Sequence, residues 1–167
     1  MDFEAIASMD EALTAHKTAK ALLNIEIGIP EMSCFFKEQS TGLSCRIRPD
    51  FLPGGNIIVD YKTTENASPS EFQRSCAKYG YDIQAGFYCL GMELLTGVIH
   101  KFVFIAQEKK PPYEVAVYEA SADFIDTGRS KAIRLLQLLA ECRKTGIYPG
   151  YPDEIQTIDM PSWAKAA

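Results

Sequence analysis

Three residues could do chemistry together: Asp50, Asp60 and Lys62. Asp60 and Lys62 sit in Ile57-Ile58-Val59-Asp60-Tyr61-Lys62-Thr63-Thr64, where the β-branched run Ile57 to Val59 favours a strand. Side chains alternate faces along a strand, so Asp60 and Lys62 point one way and Tyr61 the other. Asp50 closes Arg48-Pro49-Asp50, and Gly54-Gly55-Asn56 marks a turn between it and the strand. If the strand-like stretches on either side pair as a hairpin, Asp50 reaches the same patch. Two carboxylates and an ammonium form a cation site with a positive charge beside it. That is the minimum equipment for metal-assisted phosphodiester hydrolysis. The competing reading is an exposed Asp-x-Lys ion pair, which is common and contributes little.

The elements that must position this patch read as an α/β chain, with a mixed β-sheet flanked by helices. Residues 2–23 have helical spacing, with Ile6, Met9, Leu13 and Leu22 as buried positions. His16 in that helix reads as a solvated or core residue, not a ligand. Strands are expected over 31–36, 43–50 and 57–62, as an antiparallel meander joined by tight turns. Ser68-Pro69-Ser70-Glu71 predicts a helix start with a capping box, and Gly80 its end. A second helix covers about 82–95. It carries Gln84 and Tyr88 four residues apart on one face, and Phe87, Leu90 and Leu94 on its apolar side. Two more strands, 100–106 and 113–118, precede a long helix over 121–144. That helix has Phe124, Ile133, Leu136, Leu139 and Ala140 on its inner face. The tail from Gly146 to Trp163 is expected to pack as an extended cap. Together these predict one domain over 1–167: an N-terminal helix and connector (1–30), a core (31–145) and a C-terminal tail (146–167).

Bulk properties narrow the function classes. A chain of 167 residues, 47% hydrophobic and 23% charged, has enough apolar content for one good core and is not of disordered type. A net charge of -5 argues against a protein that coats DNA, so contact with nucleic acid must be local. The five cysteines (Cys34, Cys45, Cys76, Cys89, Cys142) have no CxxC spacing and read as reduced core residues of a cytosolic protein. The longest apolar runs are too short to span a membrane, and the acidic N-terminus lacks the pattern of a signal peptide. There is no Gly-rich phosphate loop and no GxSxG, so a small-molecule α/β enzyme lacks support.

In chain order, the motifs are Gly42-Leu43…Arg48-Pro49-Asp50, Ile58-Val59-Asp60-Tyr61-Lys62-Thr63-Thr64, and Tyr81-Asp82-Ile83-Gln84-Ala85-Gly86-Phe87-Tyr88. This succession resembles the PD-(D/E)xK nuclease superfamily, in its RecB/RecE-like branch of the phage and prophage exodeoxyribonuclease VIII type. The resemblance runs from roughly Met9 to Trp163, and the closing Trp163 is part of it. It implies a restriction-endonuclease-like core and a metal-dependent DNA exonuclease of phage-type recombination or repair. Asp50, Asp60 and the backbone carbonyl of Tyr61 would hold Mg²⁺ or Mn²⁺. Lys62 would hold the attacking water or the scissile phosphate. Gln84 and Tyr88 would position the substrate strand or the lysine. Linear double-stranded DNA ends would be the substrate, and the resemblance leaves room for a single-strand annealing protein and a homo-oligomer. The pattern departs from the family in one respect. Members carry a further ligand, a His or Glu, on a helix well upstream, whereas 49 residues precede Asp50 here. Glu31 is the candidate replacement, and the alternative is a nuclease-fold module that binds DNA or an assembly partner with little or no catalysis.

Overall fold

The computed structural model describes residues 3–164. Its centre is a five-stranded mixed sheet in the order β1-β4-β5-β6-β7. The strands are β1 (Ile29–Pro30), β4 (Phe51–Gly54), β5 (Ile57–Thr64), β6 (Lys101–Glu108) and β7 (Val115–Glu119). The strands β2 (Cys34–Lys37) and β3 (Ser44–Ile47) form a separate antiparallel hairpin. The expected three-strand meander is therefore split. The chain leaves β3 through Arg48-Pro49-Asp50 and enters β4, and β4 rather than β3 pairs with β5 across the Gly54-Gly55-Asn56 turn. All three turn residues have positive φ, 91°, 60° and 59°, which a β-branched or bulky side chain adopts only with strain. β5 is the central strand, parallel to β6 and antiparallel to β4. A parallel neighbour needs a long crossover, and two helices supply it: α3 (Pro69–Tyr79) and α4 (Tyr81–Thr96).

Alternation along β5 sorts its side chains as the period of two requires. Ile58 joins Phe102, Phe104, Phe72, Ala85 and Cys89 in a core between the sheet, α3 and α4. Val59 joins Ala19, Phe51, Val103 and Ile105 on the opposite face, under the N-terminal helices α1 (Phe3–Ala15) and α2 (Lys17–Leu22). The single helix expected over 2–23 breaks at His16. The imidazole Nδ1 caps α2 by accepting from the Ala19 amide at 3.2 Å. Met9 is buried as expected, while Ile6 is 53% exposed. Ser68 does precede α3, but no capping box forms: its own amide donates to Asn66, and Glu71 pairs with Arg74. All five cysteines are buried and free, as their spacing implied.

The long helix α5 (Ala122–Thr145) packs against α4 at close range. Two glycines permit this. A Cβ on Gly128 would overlap the Asp82 carbonyl, and one on Gly86 would overlap the backbone of Gly128 and Arg129. Ion pairs flank the contact, Lys131 to Asp82 at 2.5 Å and Arg129 to Glu93 at 2.6 Å. Leu139 lies toward solvent instead of the expected inner face. The tail beyond α5 runs without strand or helix to residue 161 and buries none of Ile147, Tyr148, Tyr151, Ile155, Ile158 or Met160, so it does not form the expected cap. The side chain of Trp163 lies outside the described residues. No helix among them is long and apolar enough to cross a membrane.

This packing predicts that Gly128→Ala costs about 3 kcal/mol, because backbone has to move to admit one methyl group. Ser130→Ala, at an exposed position on the same helix, should stay within about 0.5 kcal/mol of wild type. Urea denaturation of both variants measures the difference, and equal stabilities would contradict the close approach of α4 and α5.

Candidate active site

Asp60 occupies the middle of the central strand with none of its surface exposed. The strand's apolar flank explains the location, since Ile57, Ile58 and Val59 fix the register and carry residue 60 inward with them. A lone buried carboxylate is strongly unfavourable. Here one oxygen, Oδ2, accepts a hydrogen bond from Gln84 Nε2 at 2.5 Å. The other, Oδ1, is met by the ammonium of Lys62 in a close, charge-assisted hydrogen-bonded ion pair. Burial raises the Asp60 pKa to about 6. The Lys62 charge and the Gln84 hydrogen bond oppose that shift, and the charge of Asp50 reinforces it. At neutral pH the group is mostly ionised, but a proton competes for it in mildly acidic solution.

Asp50 arrives from the neighbouring chain segment. Its backbone carbonyl accepts from the Glu31 amide at 3.0 Å, and its Oδ2 accepts from the Tyr61 amide at 2.9 Å. The N–H and C=O of a strand residue point toward the same edge, so the Tyr61 carbonyl also faces the Asp50 side. The expected reach of Asp50 to the patch is thus achieved, through the β4–β5 turn and not through a β3–β5 hairpin. Below the sheet, the Tyr61 hydroxyl donates to Gln107 Oε1 at 2.5 Å, and Gln107 Nε2 donates to the Met9 carbonyl at 2.8 Å. Gln107 is fully buried, and these bonds tie α1 to the strand that carries Asp60 and Lys62.

The remaining expected residues divide. Gln84 is at the centre of the site, but its contact is to Asp60 and not to the lysine. Tyr88, one helical turn on, is half-buried against the core with its ring edge-on to Phe102 at 6.3 Å. The Glu31 carboxylate pairs with Arg48 at 2.8 Å, both being about half exposed. Among the described residues no three His, Cys, Asp or Glu side chains come together as a metal-binding group. The oxygens of Asp50, Asp60 and the Tyr61 carbonyl are nonetheless of the kind that suits a hard divalent cation. They are carboxylate and carbonyl donors, and Asp60 Oδ1 is a fully buried oxygen whose charge is met by the Lys62 ammonium.

One site residue went unread in the sequence. The Tyr81 ring lies 5.0 Å from Lys62 Nζ, close enough for a cation–π contact. Its signal was available, because Tyr81 is three residues before Gln84 and shares its helix face.

Comparison with known proteins follows the same outline. No curated protein matches the sequence. Among solved structures, a candidate exonuclease from Eubacterium rectale superposes with a TM-score of 0.69 at 15% identity, over 95% of this chain and 62% of that one. This chain therefore spans less than two thirds of that protein's length, and at such identity the likeness is one of fold. The crystal structure of SSO0001 is more distant, with a TM-score of 0.43 at 16% identity over 80% of this chain and 61% of that one. The family model described as "PDDEXK-like domain of unknown function (DUF3799)" matches residues 1–161. With a mixed sheet that carries Asp60 and Lys62 on its central strand, and a family match over almost its whole length, the chain belongs to this PDDEXK-like family and so to the PD-(D/E)xK nuclease superfamily.

Proposed function

We propose that the protein is a divalent-metal-dependent deoxyribonuclease, an exonuclease acting on the ends of linear duplex DNA in phage-type recombination or repair. One observation carries this reading. A carboxylate is buried at the centre of the sheet, and only a lysine ammonium faces its second oxygen. Asp50, Asp60 and the Tyr61 carbonyl would hold Mg²⁺ or Mn²⁺, which when bound supplies Lewis-acid stabilisation of phosphate charge and a more acidic water. The chain's own residues do the rest. Gln84 fixes the Asp60 carboxylate plane by holding Oδ2. Asp50 is held by the Tyr61 amide, so both acids keep their positions without a ligand. Lys62 is 18% exposed at its side chain, enough to meet a phosphate oxygen while it remains beside Asp60. Its ammonium would stabilise charge that develops on that oxygen during hydrolysis. Tyr81 covers the lysine from the α4 side and limits water around it. The resemblance of the motif succession to RecE-type enzymes supports the exonuclease and recombination assignment. The absence of a third acidic or histidine side chain, among the described residues, favours a second reading: a nuclease-fold module that binds DNA with little cleavage.

Cleavage and metal uptake can be separated by mutation. In wild type, Mn²⁺ should raise the melting temperature, because a ligand that binds only the folded state stabilises it. Asp60→Ala should abolish the increase, and an undiminished shift in that variant would rule out Asp60 as a ligand. Lys62→Ala should keep the increase yet cut linear DNA roughly a hundredfold more slowly, the usual scale for one lost charge contact in a transition state. Cleavage at the wild-type rate would reduce Lys62 to an ion-pair partner.

Metal preference addresses the completeness of the site. Few protein ligands hold Mg²⁺ weakly, since it gives up its waters reluctantly, while Mn²⁺ binds comparable oxygen sites somewhat better. Digestion of linear duplex DNA is therefore expected to be faster in Mn²⁺ than in Mg²⁺. Glu31→Gln should leave the Mn²⁺ rate within about twofold if its pairing with Arg48 persists. A large loss would recruit Glu31 as a further ligand.

A further inference from the structure

Helices α3 and α4 meet at Gly80, whose φ of 69° ends the first helix and lets the second begin at the next residue. This turn places the rings of Tyr79 and Tyr81 against each other, 5.7 Å apart with planes 29° from parallel. The inner ring, Tyr81, touches the Lys62 ammonium at 5.0 Å. The outer ring, Tyr79, is 61% exposed. An aromatic stair thus descends from the surface to the lysine of the candidate active site. Beside it lies a cavity of about 190 Å³, whose lining includes Ser75, Tyr79, Tyr81, Lys109 and the carboxylates of Glu65 and Glu71. Hydroxyls, an amide and two flat rings share that wall with two carboxylates, each of which is paired with a cation: Glu65 with Lys109 and Lys110, and Glu71 with Arg74. The size is below that of a typical cofactor pocket, and suits a single flat heterocycle. Cations border it: Lys78 lies over the Tyr79 ring at 5.2 Å, and Lys109 and Lys110 approach Glu65 at 3.8 and 3.5 Å. Both contacts are at the surface, so these lysines can turn to phosphates with little loss.

We propose that this cavity receives an unpaired nucleobase of the DNA strand, stacked on Tyr79, while the adjoining backbone runs past Lys109 toward Lys62. The inference rests on the nuclease reading and adds a substrate preference to it. A frayed or single-stranded end can place a base there, and an intact duplex cannot without unpairing one. Aromatic rings that alternate with cations are the usual means of holding single strands, because every base has a face to stack. The Tyr79 ring stacks on Tyr81 and carries the Lys78 ammonium besides, a surface contact that a base can displace. Its neighbour Tyr81 already closes the core beneath it against Phe72 and Phe104.

The test is binding in the presence of EDTA, where cleavage does not intervene. A short single-stranded oligonucleotide carrying one 2-aminopurine reports affinity by anisotropy and stacking by quenching. Wild type should bind it more tightly than a blunt duplex of equal length and should quench the fluorophore. Tyr79→Ala should weaken binding roughly tenfold and relieve the quenching, and Tyr79→Phe should restore both, since the ring and not the hydroxyl does the stacking. If Tyr79→Ala binds and quenches as wild type does, the stacking site is wrong and the nuclease reading stands. If wild type binds neither single strand nor duplex, both are overturned.

Discussion

An ionised carboxylate at the centre of a β-sheet is costly, and the architecture around β5 compensates for one. Replacing water around Asp60 with protein would leave it neutral or unfold the strand unless partners substitute for the lost hydration. Gln84 reaches down from α4, Lys62 turns back from two residues along the strand, and the outcome is a pKa of about 6 instead of the ordinary value near 4. Each partner depends on a different part of the fold. Gln84 is placed by the crossover helices, and α4 in turn is held by its glycine-lined contact with α5. Lys62 is placed by the parallel pairing of β5 with β6. The site is therefore a property of the whole sheet-and-helix layer.

The sign of the Asp60 shift has a consequence for stability. Its folded pKa lies above its unfolded one, so the folded state holds the proton more tightly between about pH 4 and pH 6. Without a cation, stability contributed by this group is present at low pH and is lost as pH rises through about 6. A divalent ion held there, as the proposed function has it, would reverse the balance by favouring the charged form. Tension of this kind marks functional groups more often than structural ones.

Much of this was legible in the sequence because strand periodicity is strict. Once Ile57 to Val59 were read as a strand, the common face of Asp60 and Lys62 followed, as did the opposite face of Tyr61. Glycine and proline punctuation located α3 and α4 closely, and the helical spacing of Gln84 put it over the sheet. Pairing was less legible. The segment 43–50 reads as one strand that could meet β5, but Pro49 ends the first pairing and a short second strand, β4, takes its place. Local composition does not distinguish these outcomes, because which strand pairs with β5 is decided by packing. Gln107 as the buried partner of Tyr61 is illegible for the same reason, whereas the His16 cap is a local contact over three residues and Tyr81 shares a helix face with Gln84. The Tyr61–Gln107 contact joins residues 46 positions apart and is decided by packing across the fold.

Asp60 is a buried carboxylate paired with a lysine, and in the proposed function a proton and a divalent cation compete for it. Titration of its side-chain carboxyl by ¹³C NMR addresses this directly, on protein labelled at aspartate with Asp60→Asn to assign the signal. In chelator the resonance should titrate near pH 6, and added Mg²⁺ should move the midpoint down by a unit or more. A midpoint near the ordinary aspartate value of about 4, unmoved by Mg²⁺, would contradict the account.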